Sequence, residues 1–506
     1  MTRMTARALP RAEGRPATPA PARALPRAKG RPATRGPARA LRPVILALTV
    51  LLAGCGLAAP GPDRPQAVTV LGPWTGAQGD AFRALLDGSG VPYSYEGTAA
   101  QREVLLSQVQ SGSPPDVAVL PGVGELAEYA RGKHLRDLGS IDPPLYDPEQ
   151  YGAPWQPRLP DLPGQVFWVP LKADLKSLVW YRKGEPAPTS PAPLPAWCMG
   201  MGDDGASGWP GSDWIEDLML QMYGTEVYTQ WATGSRDPAG RTLVPWTDLR
   251  VLKAWQTWSA LMAQDVREKP GRTGTGEAPD RESDRESDRA RGADPGEVPD
   301  QAPAGGAAER ALLTDHRGEP HSGGLLFSLP GCSLEHQGSF ARTAFYGDEH
   351  RDDVAVVGSE RVLPGSPWGR SQAQARGREV SGDFAVLFND TPGARRLLRH
   401  LASEEGQRSW ARDAKVFSAN SKVRVASDAA DTFIEKNLVG GQRLCLDASD
   451  LMPATVRDAF YEATLLQLAD PTSDPLPLLK SLQRVQQREE EETEPPWLTG
   501  VCSAPQ

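Results

Sequence analysis

The chain has 506 residues, with 64 Asp and Glu against 55 Lys and Arg, a net charge of −9. Its first 54 residues hold ten arginines and one lysine against one glutamate, so the remainder carries −19. An acidic body is a poor holder of a phosphate backbone, so no nucleic-acid partner is expected. About 450 residues suffice for two or more cores.

The leader comes first. Ala-Arg-Ala-Leu-Pro-Arg at residues 6–11 recurs at 22–27, and Ala-Arg-Ala-Leu-Arg follows at 38–42. Pro-broken basic copies cannot build a core. Residues 43–54 are an apolar run too short to span a bilayer comfortably. A basic stretch, an apolar core and small residues describe a secretory signal peptide. Leu52-Ala53-Gly54-Cys55 resembles a bacterial lipoprotein signal. That resemblance implies cleavage before Cys55, a palmitate-bearing lipid on its thiol, and residence on the outer face of the cytoplasmic membrane. Residues 1–54 are then leader and signal, and 55–65 a flexible tether.

Ala67–Leu71 reads as a first strand ending at Gly72-Pro73-Trp74, with a helix from Gly79 to Leu86. Tyr93–Glu96 is a short strand, 99–110 a helix, Val117–Leu120 a buried strand and Gly124–Arg131 a helix. This alternation predicts a mostly parallel sheet flanked by helices. Strands at Val166–Pro170 and Ser177–Tyr181 lie so close together that they predict a crossover between two lobes. A helix is predicted over 213–223, with Ser212 or Asp213 as N-cap. Val251, Leu252, Trp255, Trp258, Leu261 and Met262 have helical spacing within 248–265. Residues 267–310 repeat Arg-Glu-Ser-Asp and are poor in apolar residues, the pattern of a disordered insertion. Order is expected to resume near Ala311. Gly324–Phe327 looks strand-like, Pro330–Gln337 a loop, and Asp353–Val357 and Ser381–Phe388 strands. Helices are predicted at 391–401, 404–415, 454–468 and 477–487, followed by an acidic tail.

Besides Cys55 there are Cys198, Cys332, Cys445 and Cys502. An even set in an oxidising compartment implies two disulfides. Three pairings are open. Cys198–Cys332 with Cys445–Cys502 is preferred, because the first two cysteines sit in similar Pro/Gly-flanked loops. The sequence has no CxxC spacing to support thiol redox chemistry or a thiolate metal site.

From about residue 66 to 487 the chain resembles the extracellular solute-binding proteins of carbohydrate ABC importers, family 1, alpha-glucoside-like members in particular. The stretches that carry the resemblance are PPDVAVLPGVGELAEYA, VFWVPLKADLKSLVWYRK, PAWCMGMGDDGASGWPGSDWIEDLML, GCSLEHQGSF, SGDFAVLFNDTPGARRLLRHLASEEGQRSWA and CLDASDLMPATVRDAFYEATL. The insertion at 267–310 and the segment before Ser381 depart from the family pattern. The resemblance implies an α/β, two-lobed periplasmic-binding-protein fold of type II, with mixed sheets and a hinge. Residues 66–180 would form mainly the first lobe and 181–380 mainly the second. Residues 381–487 would be shared between the lobes, with 488–506 as the acidic tail. It also implies a monomeric receptor with a carbohydrate ligand and no cofactor or metal. A homo- or heterodimeric permease and a cytoplasmic ATPase would be its partners.

A neutral sugar needs flat aromatic faces against its C–H patches and fixed polar groups for its hydroxyls. Trp209 and Trp214 flank a Pro/Gly-shaped loop, and Asp213 lies between them. Trp74 ends the first strand, where open α/β sheets place ligands. Glu335 follows Cys332, and Asp383 follows Gly382 at a strand entrance. The resemblance places cleft contacts near these loops, giving Trp209, Asp213, Trp214 and Glu335, then Trp74 and Asp383, as candidate ligand contacts. An enzyme is not expected. The sequence contains no GxSxG, HExxH or P-loop pattern. Neighbouring acids such as Asp203/Asp204 and Glu404/Glu405 do not by themselves face each other across a glycosidic bond. A glycoside hydrolase or a non-transport adhesion or scaffold lipoprotein are the alternatives.

Overall fold

The computed structural model describes residues 66–141, 145, 148–189, 196–263, 306–319, 322–363, 377–439 and 443–503. The leader, the apolar run, Cys55, the tether and residues 267–305 of the expected insertion lie outside the described residues. Pro65–Gln506 forms one compact unit built on two sheets.

The first sheet opens with β1 (Val68–Gly72), β2 (Tyr93–Gly97) and β3 (Val117–Leu120). β1 lies parallel to both neighbours. Helices α1 (Gly76–Asp87) and α2 (Gln101–Gln110) make the crossovers that parallel pairing requires. All four residues of β3 are buried, which suits a strand covered on both faces. α3 (Val123–Arg131) follows. β4 (Trp168–Leu175) and β8 (Gly377–Leu387) then make the sheet mixed, since β8 runs antiparallel to both β3 and β4. β9 (Arg443–Leu446) pairs parallel with the first residues of β8.

The second sheet has β5 (Leu178–Arg182) between β6 (Leu334–His336) and β7 (Val354–Gly358), antiparallel to each. Only Lys176 and Ser177 separate β4 from β5, so the chain changes sheets within two residues. The remaining long helices are α4 (Trp209–Ala232), α5 (Leu249–Met262), α6 (Ala307–Leu313), α7 (Pro392–Ala402), α8 (Glu404–Asp413), α9 (Ala429–Val439), α10 (Ala454–Ala469) and α11 (Leu476–Glu492). Side-chain caps fix several starts. Asp248 accepts from the Arg250 N–H, Thr391 from Ala394, and Ser403 from Gly406. Among the described residues no helix is long and apolar enough to cross a membrane.

Five local expectations change. α4 begins at Trp209, not 213, so Ser212 and Asp213 lie inside it. Pro210 is tolerated because first-turn N–H groups have no helical partner. Gly208 is the N-cap, with φ of 104°, and a Cβ there would sit 2.4 Å from the Tyr461 carbonyl oxygen. Leu325–Ser328 is a helical turn, not a strand. The segment after Cys332 includes β6, so Glu335 is a strand residue. α6 starts at Ala307, within the range read as insertion. The acidic tail is partly α11, where Glu490 pairs with Arg236 at 2.7 Å, and Trp497 beyond it is fully buried.

The disulfides are Cys198–Cys332 and Cys445–Cys502, the preferred pairing. The second ties the carboxyl end to β9 across 57 residues. Replacing both Cys445 and Cys502 by Ala should lower unfolding free energy by about 2–5 kcal/mol. Urea midpoints of the variant and of the oxidised parent check this.

Candidate functional site

The described residues enclose a cavity of about 720 Å³. It is lined by Thr98 to Glu103, by Glu125, Glu128 and Tyr129 of α3, by Asp203 to Ala206, Trp209, Asp213 and Phe340, and by Asp447, Asp450, Arg457, Asp458 and Tyr461. β4 and β8 supply Lys172, Asp174 and Asp383 where the chain leaves the first sheet.

Strand and helix periodicities explain which side chains arrive. Alternate residues of a strand share a face, so Lys172 and Asp174 point the same way. Lys172 Nζ is 2.7 Å from Asp174 and 3.7 Å from Asp383 on the paired strand. Lys176, at the crossover, reaches Asp213 of α4 at 2.8 Å and Asp447 after β9 at 3.1 Å. Its ammonium also lies 4.8 Å from the Trp209 ring and 5.6 Å from Phe340. Arg102 meets Glu125 at 3.3 Å, and Arg457 meets Glu125 at 3.2 Å and Asp458 at 2.9 Å. Eleven carboxylates line the cavity against four cations, and each of those cations is already paired with acids.

Burial sets the electrostatics. Burial would raise Asp447, but Lys176, with hydrogen bonds from its neighbours, holds it down to about 2. One ammonium cannot satisfy two buried carboxylates equally. Burial therefore pushes Asp213 well above the usual range, and Asp447 adds to the push against Lys176. Burial and the Asp447 charge raise Asp450 to about 7.

Three of the six candidate contacts meet in this cavity: Trp209, Asp213 and Asp383. Asp213 follows Trp209 by four residues, which returns it within about 40° of the same helix face. Trp214 follows by five, about 140° away. It is buried against Trp197 and His336, both at 4.7 Å. Trp74 packs between Phe82 and Trp410 at 4.6 and 4.7 Å, as part of the core under α1 and α8. Glu335 is wholly buried in the second sheet, where Tyr346 donates to it at 3.0 Å. These three do not line the cavity. Every described tryptophan except Trp209 is buried, and Trp209 is half-buried, its indole N–H donating to Asp203 at 2.9 Å.

Sequence reasoning missed Lys172, Lys176, Arg102, Phe340, Asp447, Asp450 and Arg457. A signal existed for the lysines and Asp174. In Pro170-Leu-Lys-Ala-Asp-Leu-Lys176, charges recur every second residue within an apolar strand run. Of the acids considered for hydrolysis, Glu404 and Glu405 lie in the first turn of α8, outside the lining, and Glu404 pairs with Arg408. His336 pairs with buried Asp217 at 3.0 Å.

The family model described as bacterial extracellular solute-binding protein matches residues 73–271. Over those residues the chain is similar to the bacterial extracellular solute-binding proteins. It is 26% identical over 424 residues to the alpha-glucosides-binding periplasmic protein AglE of Rhizobium meliloti, covering 78% of this chain and 81% of that one. It is 26% identical over 442 residues to the osmoprotective compounds-binding protein GgtB of Synechocystis sp., covering 82% and 91%. Among solved structures it superposes on the bacterial solute receptor AcbH with a TM-score of 0.56 at 14% identity, covering 83% of this chain and 98% of that one. The maltose-maltodextrin binding protein of Alicyclobacillus acidocaldarius gives 0.52 at 14% identity, covering 83% and 100%. These likenesses show the two-lobed fold expected from the sequence.

Burial raises the Glu335 carboxyl to about 8, against the weaker lowering by Tyr346 and the Leu326 N–H. The folded state then holds a proton that the unfolded chain releases above about pH 4.5. Stability should fall as pH rises from there to about 8, then level off. Glu335→Gln should remove that component, gaining on the parent by a few kcal/mol, on the order of the shift, at pH 8.5 but not at pH 4. Denaturant midpoints at the two pH values check it.

Proposed function

We propose that this protein is the solute receptor of an ABC importer and captures a neutral mono- or oligosaccharide in the cavity around Trp209. It then delivers the sugar to a membrane permease driven by a cytoplasmic ATPase. It works as a monomer without a cofactor, held by a lipid on Cys55 at the outer face of the membrane, and it does not cleave its ligand. Alpha-glucosides are the first class to test, because one curated relative is named for them.

The observation that carries this reading is the partition of aromatic and charged groups. The single half-exposed described tryptophan faces the cavity, and a sugar ring needs such a face. Around it the polar groups are preset by ion pairs, so a hydroxyl-rich solute meets fixed acceptors. Paired cations offer little to an anion, and the surplus of carboxylates repels one. A cavity of about 720 Å³ falls within the usual range for small-molecule sites. Lobe closure around the sugar would create the surface that the permease reads.

Calorimetric titration of residues 55–506 with maltose, trehalose, sucrose, longer glucosides and matched uronates tests the reading. Reversible binding of a neutral sugar, with uronates far weaker, is expected. Trp209→Ala should weaken that binding about tenfold or more, 1.4 kcal/mol per decade. Preference for an anionic solute, or hydrolysis of a bound sugar on chromatography, contradicts the proposal. Parent affinity in Trp209→Ala removes that ring from the site.

A further inference from the structure

Two acids of the cavity lining, Asp213 and Asp447, also belong to a second feature that reaches beyond that lining. Asp213 and Glu216 of α4 and Asp447 each offer a carboxylate oxygen, and these oxygens lie within 4.8 Å of one another. All three residues are buried, Glu216 completely. Glu379, on β8, is also completely buried, and its charge acts most strongly on Glu216 and Asp447. One ammonium, Lys176, faces the four carboxylates.

Hydrogen bonding leaves this cluster incomplete. Glu216 Oε2 accepts from the N–H groups of Ala448 and Ser449, but its Oε1 has no partner among the described residues. Asp213 Oδ1 and both carboxylate oxygens of Glu379 are likewise without partners there. A buried carboxylate oxygen left unpaired costs free energy, so the open oxygens of Asp213 and Glu216, beside Asp447, mark a missing positive group. Elsewhere in the cavity Lys172 closes Asp174 and Asp383, and Arg102 and Arg457 close Glu125.

We propose that Asp213, Glu216 and Asp447 bind a hard divalent cation of calcium size, with Glu379 as its flanking counter-charge. Calcium–oxygen distances of about 2.3–2.6 Å place opposite ligands roughly 4.6–5.2 Å apart. Oxygens within 4.8 Å of one another fall inside that span, and calcium, unlike magnesium, tolerates irregular geometry of this kind. A divalent charge would reduce the excess of four carboxylates over one ammonium from three to one. The ion would join α4, the end of β9 and β8, the elements that meet under the cleft. Asp213 and Asp447 also line the cavity, which gives the ion a route in from solvent.

The test needs no sugar, so its result is separate from that of sugar capture. Residues 55–506 are stripped with chelator and titrated at pH 7.5 with calcium chloride, then magnesium chloride, by calorimetry and thermal melting. One calcium per chain is expected, binding more tightly than magnesium. A rise in melting midpoint on the order of 5 °C is expected at a hundredfold excess over the dissociation constant. Glu216→Gln should abolish the binding, and Glu379→Gln should weaken it about tenfold or more. Absence of calcium binding by the parent overturns the proposal. So does calcium binding that survives Glu216→Gln. A Glu216→Gln variant more stable than a calcium-indifferent parent overturns it too, because the cluster would then hold a shared proton.

Discussion

The architecture turns on one buried ammonium. Lys176 sits at the two-residue step between the sheets, and its charge is held between Asp213 of α4 and Asp447 at the end of β9. Removing three charges from water is costly, and the mutual attraction offsets this only in well-fixed geometry. Three separate stretches of chain must therefore arrive together. The same constraint keeps the acid groups of the cavity floor in place before any solute enters. Lys172, with Asp174 and Asp383, repeats the device on the neighbouring strand pair.

Around this charged floor the aromatic residues divide into two jobs. Trp231, Trp246, Trp255 and Trp258 gather with Phe460 under α4 and α10 as core. Trp74, Phe82 and Trp410 do the same beneath α1 and α8. Trp209 is spared because the left-handed Gly208, packed against the Tyr461 carbonyl, starts the helix at the cavity edge. The face of the first helical residue is then presented to the cleft and steadied by Asp203.

Much of the fold was legible because the signals were local. Val117–Leu120 reads directly as a buried strand, Thr391-Pro392 as a capped helix start, and the closeness of 166–170 to 177–181 as a change of sheet. The site was legible only in part, for geometric reasons. Trp209 and Trp214 look equivalent in sequence, yet five residues of helix turn Trp214 into the core. Glu335 looked loop-borne because Pro330-Gly331 dominates its neighbourhood, whereas pairing with β5 makes it a strand residue. Asp447 and Asp450 gained their roles only through contacts more than 200 residues away in sequence, to Lys176 and Arg102, which no local pattern encodes.

The match to the solute-binding family model, the cavity and the one half-buried indole among the described residues are what support the proposed capture of a neutral, hydroxyl-rich solute. The central claim is spatial: the solute sits on Trp209, above the Lys172 and Lys176 ion pairs. A crystal structure of the protein with a bound glucoside tests it most directly. The account predicts a sugar ring stacked on Trp209, with hydroxyls donating to Asp383, Asp213 or Asp447. A sugar bound elsewhere, with the Trp209 face uncovered, would contradict it.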